Sequence, residues 1–408
     1  MLCETPDLSR RSVLLGSGAL FAWSFMPKLA SASTSTRDPR LLVIVLRGGL
    51  DGLSAVPPVG DPAYAALRGG LAMSTSGPGA AVPLDGIFAL NAAMPQFLRL
   101  YRAGQASVIQ AAASPYRERS HFDGQDVLES GIPSTGGRDG WMARALGALP
   151  KGAAIAPVKG LSIGLTTPLI MRGPAEITTW APRTFPYATD DTIRRLMSLY
   201  EARDPALARA LRGGVETETV SKTMGETGRN AGVGDPVRAF PDQAAAAARF
   251  MAMPNGPRLG TMSFDGWDTH AQQGPRDGRL ARLLGALDSA LAAFERGMGP
   301  AWKDTVVAVI TEFGRTAREN GTDGTDHGTA TTAFLAGGAL NGGKVISDWP
   351  GLAPNQLYQD RDLAPTTDLR AVLKGVLADH IGMPEAILSR VVFPGSETVK
   401  PMKDLLRA

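Results

Sequence analysis

Cysteine is almost missing from this 408-residue chain: the one present, Cys3, stands in the first few residues. Beyond it, disulfides and thiolate metal sites are excluded, so any metal ion must be held by oxygen and imidazole nitrogen. A basic run is missing as well. Lys plus Arg number 42 against 39 Asp plus Glu, and no cluster of them tracks a phosphate backbone, which argues against nucleic acid as a partner. No internal repeat stands out. Histidine is scarce, with four in all, so its positions carry information. Glycine and proline are plentiful, at 48 and 30, but they punctuate apolar runs without a fixed period, as loops do, and not as collagen or a disordered chain does.

The length suits one large α/β domain with insertions better than two small ones. A run long enough to span a bilayer is lacking: Val13 to Phe25 falls short of the roughly 20 apolar residues a spanning helix needs. That stretch follows Ser9-Arg10-Arg11-Ser12-Val13-Leu14-Leu15 and leads to Ala30-Ser31-Ala32. The whole resembles a twin-arginine signal with a small-x-small cleavage site over residues 1–32, in preference to an anchor. The expectation is export by the twin-arginine translocase to the periplasm or beyond, with a mature start near Ser33 and no permanent membrane anchor.

Leu41 to Leu46 is an uninterrupted apolar run with β-branched residues, the pattern of a central parallel strand covered on both faces. Weaker strand-like runs are 107–112, 258–264, 305–310 and 331–336. Between them Leu280, Leu283, Leu284, Leu287, Leu291 and Phe294 share one face of an amphipathic helix. Residues 244–253 are Ala-rich and predict a helix, and 371–381 predicts another that ends near His380. The polar, Gly- and Thr-rich stretch 213–235 is read as a surface loop or lid. This alternation predicts an α/β fold: a doubly wound, mainly parallel sheet with helices on both faces and the site at the carboxyl ends of the strands.

Four stretches place an Asp or a His just after such strands, and they contain three of the four histidines. They are Asp51 in L-R-G-G-L-D-G-L, His121 in R-S-H-F-D-G, Asp268 and His270 in D-G-W-D-T-H, and Asp326 with His327 in G-T-D-H-G-T. In an extended segment Asp268 and His270 point to one side and suit one ion. Asp326 and His327 are flanked by Gly324 and Gly328, which permit a tight loop that turns both inward. Glu312 follows the run 305–310 directly and is read either as an extra ligand or as an ion-pair partner of Arg315.

The Asp-His-Gly of Asp326 to Gly328 resembles the metal-binding motif of the alkaline phosphatase and sulfatase superfamily. R-G-G-L-D-G-L from Arg47, S-H-F from Ser120, W-D-T-H from Trp267 and E-F-G-R-T from Glu312 together resemble a family of twin-arginine-exported bacterial proteins that carry a sulfatase-like domain of unknown function. The resemblance implies one divalent ion on Asp51, Asp326 and His327, and a second on Asp268 and His270, with His121 and His380 the imidazoles left to complete it, although His380 at a helix C-terminus is better explained by a dipole contact. It implies Ser120 as nucleophile at a helix start, with Arg47, Arg119 or Arg315 clamping an anionic ester or glycan substrate. Two departures stand out: a single residue separates Asp268 from His270, where two-metal members have three, and the sulfatase Cys/Ser-x-Pro/Ala-x-Arg context is lacking at Ser120. The sequence therefore supports two functions, a metal-dependent hydrolase of anionic esters and a non-catalytic binding or assembly protein that retains the fold. A non-haem iron oxygenase is remote, since its motif would read His-x-Asp.

Overall fold

The backbone of β1 (Arg40–Arg47) sets the architecture. Leu42, Ile44 and Leu46 face one apolar cluster while Leu41, Val43 and Val45 face another. With both faces covered, each of these side chains stabilises the fold by about 1.5–3 kcal/mol, and the run reads as continuously apolar in place of alternating. This computed structural model describes residues 37–149, 160–181, 190–223 and 235–407, and the targeting segment expected over 1–32 lies outside them. Residues Pro39–Ala408 form one compact unit.

A small ribbon pairs β2 (Val82–Pro83) with β3 (Ala89–Leu90). The main sheet contains β1 with β4 (Ala106–Ala113), β5 (Gly160–Ile163), β6 (Ile177–Trp180), β7 (Leu259–Asp265), β8 (Thr305–Thr311), β9 (Thr331–Ala336), β10 (Lys344–Ile346) and β11 (Thr367–Asp368). Its order is β10-β4-β9-β8-β1-β7-β5-β6, with β11 also on β4. β1 runs parallel to β7 and β8. Helices α1 (Pro95–Arg102), α4 (Pro236–Ala252) and α5 (Arg279–Met298) pack on one face, and α2 (His121–Ser130), α3 (Trp141–Ala148) and α6 (Leu369–Asp379) on the other. The doubly wound, mainly parallel expectation holds.

Three details differ from the sequence reading. β9 is antiparallel to both β4 and β8, because the chain returns from β8 without a crossover helix: Gly314 and Thr316 donate backbone bonds to Thr329 and Asp326. A direct return of this kind can only pair antiparallel. Asp326 and His327 therefore precede their strand, and they reach the common edge because β9 is reversed. Residues 205–223 form a helix, so the loop read from Gly213 begins no earlier than 224, and the remainder to 234 lies outside the described residues. Helix α4 begins at Pro236, ahead of the Ala-rich run, with the Asp235 carboxylate accepting from the Val237 amide at 3.0 Å as an N-cap. No helix among the described residues is long and apolar enough to cross a membrane.

Candidate metal centre

Four side chains meet where the carboxyl ends of β4, β7 and β8 adjoin the start of β9. His121 opens α2, with Ser120 at its N-cap and Gly131, at φ 70°, as its left-handed C-cap. Asp268 and His270 leave β7. His327 sits on the return from β8, in an antiparallel bridge with Arg315. Two glycines make this close approach possible: a Cβ on Gly48, at φ 120°, would lie 2.3 Å from the Asp268 amide nitrogen, and one on Gly328 would lie 2.4 Å from the Arg315 carbonyl carbon.

The Asp268 carboxylate is the centre of the group. Its Oδ1 lies 3.0 Å from His270 Nε2 and 3.3 Å from His327 Nε2, and its Oδ2 is 3.4 Å from His121 Nε2. The Nε2 atoms of His270 and His327 face each other at 3.0 Å. Ligand atoms of His121, Asp268 and His327 all fall within 4.8 Å of one another. Two ligands each about 2 Å from a tetrahedral ion stand roughly 3.3 Å apart, so these separations match a shared cation.

The outer contacts fix which nitrogen each ring offers. His121 Nδ1 donates to Glu312 Oε1 at 2.9 Å, and His327 Nδ1 donates to the Arg119 carbonyl at 2.9 Å. Both rings therefore turn Nε2 inward, the usual arrangement when a carboxylate or carbonyl orients a metal-binding imidazole. His121 Nε2 is buried without a hydrogen-bond partner. The Glu312 hydrogen bond raises the His121 pKa against the opposing effect of burial. Burial lowers that of His327, which favours a neutral ring with an open lone pair. Burial alone would raise the Asp268 pKa, but the hydrogen bond and charge of Arg315 bring it below the ordinary value and keep it ionised.

Glu312 is fully buried and accepts from His121, from Gln125 Nε2 at 3.1 Å and from the Gly48 amide at 2.8 Å. Burial opposes its ionisation, and the His121 and Gln125 bonds overcome this, so its pKa is lowered. Neither alternative read from sequence describes it: Glu312 orients His121, and Arg315 pairs with Asp268 instead. Arg119 takes a left-handed backbone at φ 60°, a conformation that costs a non-glycine residue about 1–3 kcal/mol. That turn is where its carbonyl meets His327.

Several expected residues lie elsewhere. Asp51 is outside the group; it forms an ion pair with Arg68, with both side chains at most 1% exposed, and also accepts from Gln273 Nε2. The Arg68 guanidinium supplies the positive charge beside Asp51. Asp326 is half exposed and accepts from His270 Nδ1 at 3.2 Å and Asn320 Nδ2 at 3.1 Å. Of the six expected ligands, the structure brings His121, Asp268, His270 and His327 together and leaves Asp51 and Asp326 outside. Of the expected clamps, Arg119 binds Asp362 and Gln359, Arg47 binds Glu129 and Gln125, and Arg315 binds Asp268. Ser120 is half buried, and its hydroxyl makes no capping bond. His380 caps α6 and donates from Nε2 to the Arg40 carbonyl, 3.0 Å away, far along the fold from this centre.

A family model described as protein of unknown function (DUF1501) matches residues 91–392. The chain belongs to the DUF1501 family. The match takes in His121, Asp268, His270, Glu312 and His327, while Arg47 and Asp51 precede it. No curated protein matches the chain. Among solved structures, a phosphonate monoester hydrolase of Agrobacterium radiobacter is similar at 11% identity and a TM-score of 0.33, over 85% of this chain and 75% of that one. The C-terminal periplasmic domain of EptC from Escherichia coli, in complex with Zn, shows 10% identity and a TM-score of 0.31 over 74% and 73%. Murine ectonucleotide pyrophosphatase/phosphodiesterase 5 in complex with AMP shows 11% and 0.30; 68% of this DUF1501 chain aligns with 57% of the murine one.

Proposed function

We propose that this DUF1501 protein is an exported hydrolase of phosphate or other anionic esters that works with one divalent ion held by His121, Asp268, His270 and His327. The observation that carries the reading is the convergence of three imidazole Nε2 atoms on one carboxylate at 3.0–3.4 Å, each from a ring whose Nδ1 is engaged by an outer partner. When bound, the ion supplies a Lewis-acid centre for an ester oxygen. Glu312 and the Arg119 carbonyl hold the rings in register, and Arg315 keeps Asp268 charged. Ser120, beside His121 at the N-terminus of the ten-residue helix α2, is the candidate nucleophile, placed where helix amide groups favour an anion. The motif resemblance to the alkaline phosphatase and sulfatase superfamily supports the reaction class, and Arg10-Arg11 with its flanks supports export.

One observation favours a second reading, a binding or assembly protein: every guanidinium expected to clamp the ester already serves a carboxylate. The two readings separate on hydrolysis of p-nitrophenyl phosphate and bis(p-nitrophenyl) phosphate by the protein loaded with zinc or manganese. The hydrolase reading expects turnover that Ser120→Ala and Asp268→Ala each abolish with the fold intact. Ion binding without turnover of either ester leaves the binding role.

A further inference from the structure

A cleft of about 500 Å³ opens beside the centre and has no part in the chemistry above. It shares a wall with it: Gln125 donates to Glu312 on one side and accepts from Arg47, at 3.0 Å, on the other. Arg47, Ser263 and Ile163 bring to it the carboxyl ends of β1, β7 and β5, the usual ligand position in an open α/β sheet.

Two features of its lining point to one class of occupant. Phe122, at 88%, and Leu165, at 76%, are the most exposed large apolar side chains among the described residues, and both stand at this cleft. Apolar surface left open beside polar groups marks a binding site. The polar groups between them are not those of an anion site. Arg47 is neutralised by Glu129, which leaves Asp126 and Asp265 against Arg172. Asp265 and Gln243 line the cleft with no side-chain hydrogen bond to other described residues. A carboxylate accepts hydroxyl protons, and an amide both donates and accepts, while an aromatic face packs against the C–H face of a sugar ring.

We propose that this cleft binds a neutral carbohydrate, with a sugar ring against Phe122 and its hydroxyls on Asp265 and Gln243. That the sugar carries the ester cleaved at the neighbouring centre rests on the hydrolase reading; that the cleft holds a sugar does not. The substrate class is thus a phosphorylated or otherwise esterified glycan whose charge is confined to the ester.

The test is isothermal titration of the folded protein with maltohexaose, cellohexaose and N-acetylchitohexaose, and with a heparin-derived hexasaccharide as anionic control. At least one neutral hexasaccharide should bind, and Phe122→Ala should weaken it about tenfold or more. Phe122 is so exposed that thermal stability should not change. Asp268→Ala should retain the sugar, so that failure of the hydrolase reading and failure of this one give different results. Absence of binding by all three neutral probes, binding undiminished in both Phe122→Ala and Asp265→Ala, or tighter and salt-sensitive binding of the heparin fragment would each overturn the proposal.

Discussion

Asp51 and Asp268 follow neighbouring parallel strands of one sheet, β1 and β7, and they end in opposite situations. Asp51 is sealed in, with its charge matched by Arg68 and a further hydrogen bond accepted from Gln273, while the Ser54 hydroxyl accepts from the same guanidinium. Asp268 is 39% exposed, and around it stand three ring nitrogens, each on a ring whose Nδ1 is engaged by another partner. The difference shows that an acidic residue at a strand end does not by itself make a ligand. What decides is whether a resident cation already balances it. A threonine and amide relay joins the two: Gln273 Oε1 accepts from Thr269 and Thr325, at 2.9 and 2.8 Å, and Thr325 accepts from Arg315 at 3.2 Å. Asp51 thus supports the frame that holds Asp268.

The comparison breaks most sharply at the ligands themselves. His327→Ala removes an inward lone pair, and the loss of divalent-ion affinity should exceed the roughly 10–100-fold expected for an outer-contact change, as read by competition with a metallochromic chelator. Arg68→Ala should act on stability instead. It leaves Asp51 buried and uncompensated, which costs about 3–5 kcal/mol in urea unfolding, while ion affinity in the folded protein stays close to wild type. If Arg68→Ala gained a second ion at Asp51, the guanidinium would indeed be a substitute for a metal.

Smaller effects sharpen the same contrast. Glu312→Gln keeps the shape but loses the charge that orients His121, and should lower ion affinity about 10–100-fold with an unchanged far-UV spectrum. Asp326→Ala should do less, about tenfold or below, because Asp326 is exposed and reaches the centre only through His270 Nδ1. An Asp326 effect as large as that of Asp268 would restore the ligand set implied by the sequence motif.

Much of the frame was legible because long apolar runs and a clean 3.6-residue stripe survive any tertiary context. The strands near 41, 107, 258, 305 and 331 and helix α5 all stand where composition places them, and the helix opening after Ser120 stands where the family resemblance implied it. β5, β6, β10 and β11 escaped because each has four residues or fewer and carries mixed polarity. The direction of β9 escaped because an apolar run has no arrow; only the backbone pairing of 314–316 with 326–329 reveals it. At the site, the scarcity of histidine singled out His121, His270 and His327. The fate of Asp51 was not legible, since Arg68 gives no local sign that it turns inward to a carboxylate 17 residues away. Glu312 was noticed for its place after β8, but its role depends on a histidine 191 residues distant, a relation no local pattern contains.

The central claim is that His121, Asp268, His270 and His327 form one divalent-ion site while Asp51 forms none. The most direct measurement is the metal content per chain, after reconstitution and exhaustive dialysis, of the wild type, Asp268→Ala/His327→Ala and Asp51→Asn. The account predicts one ion per chain in the wild type, none in the double variant, and one in Asp51→Asn. No retained ion in the wild type, or an ion that persists in the double variant and leaves with Asp51, would contradict it.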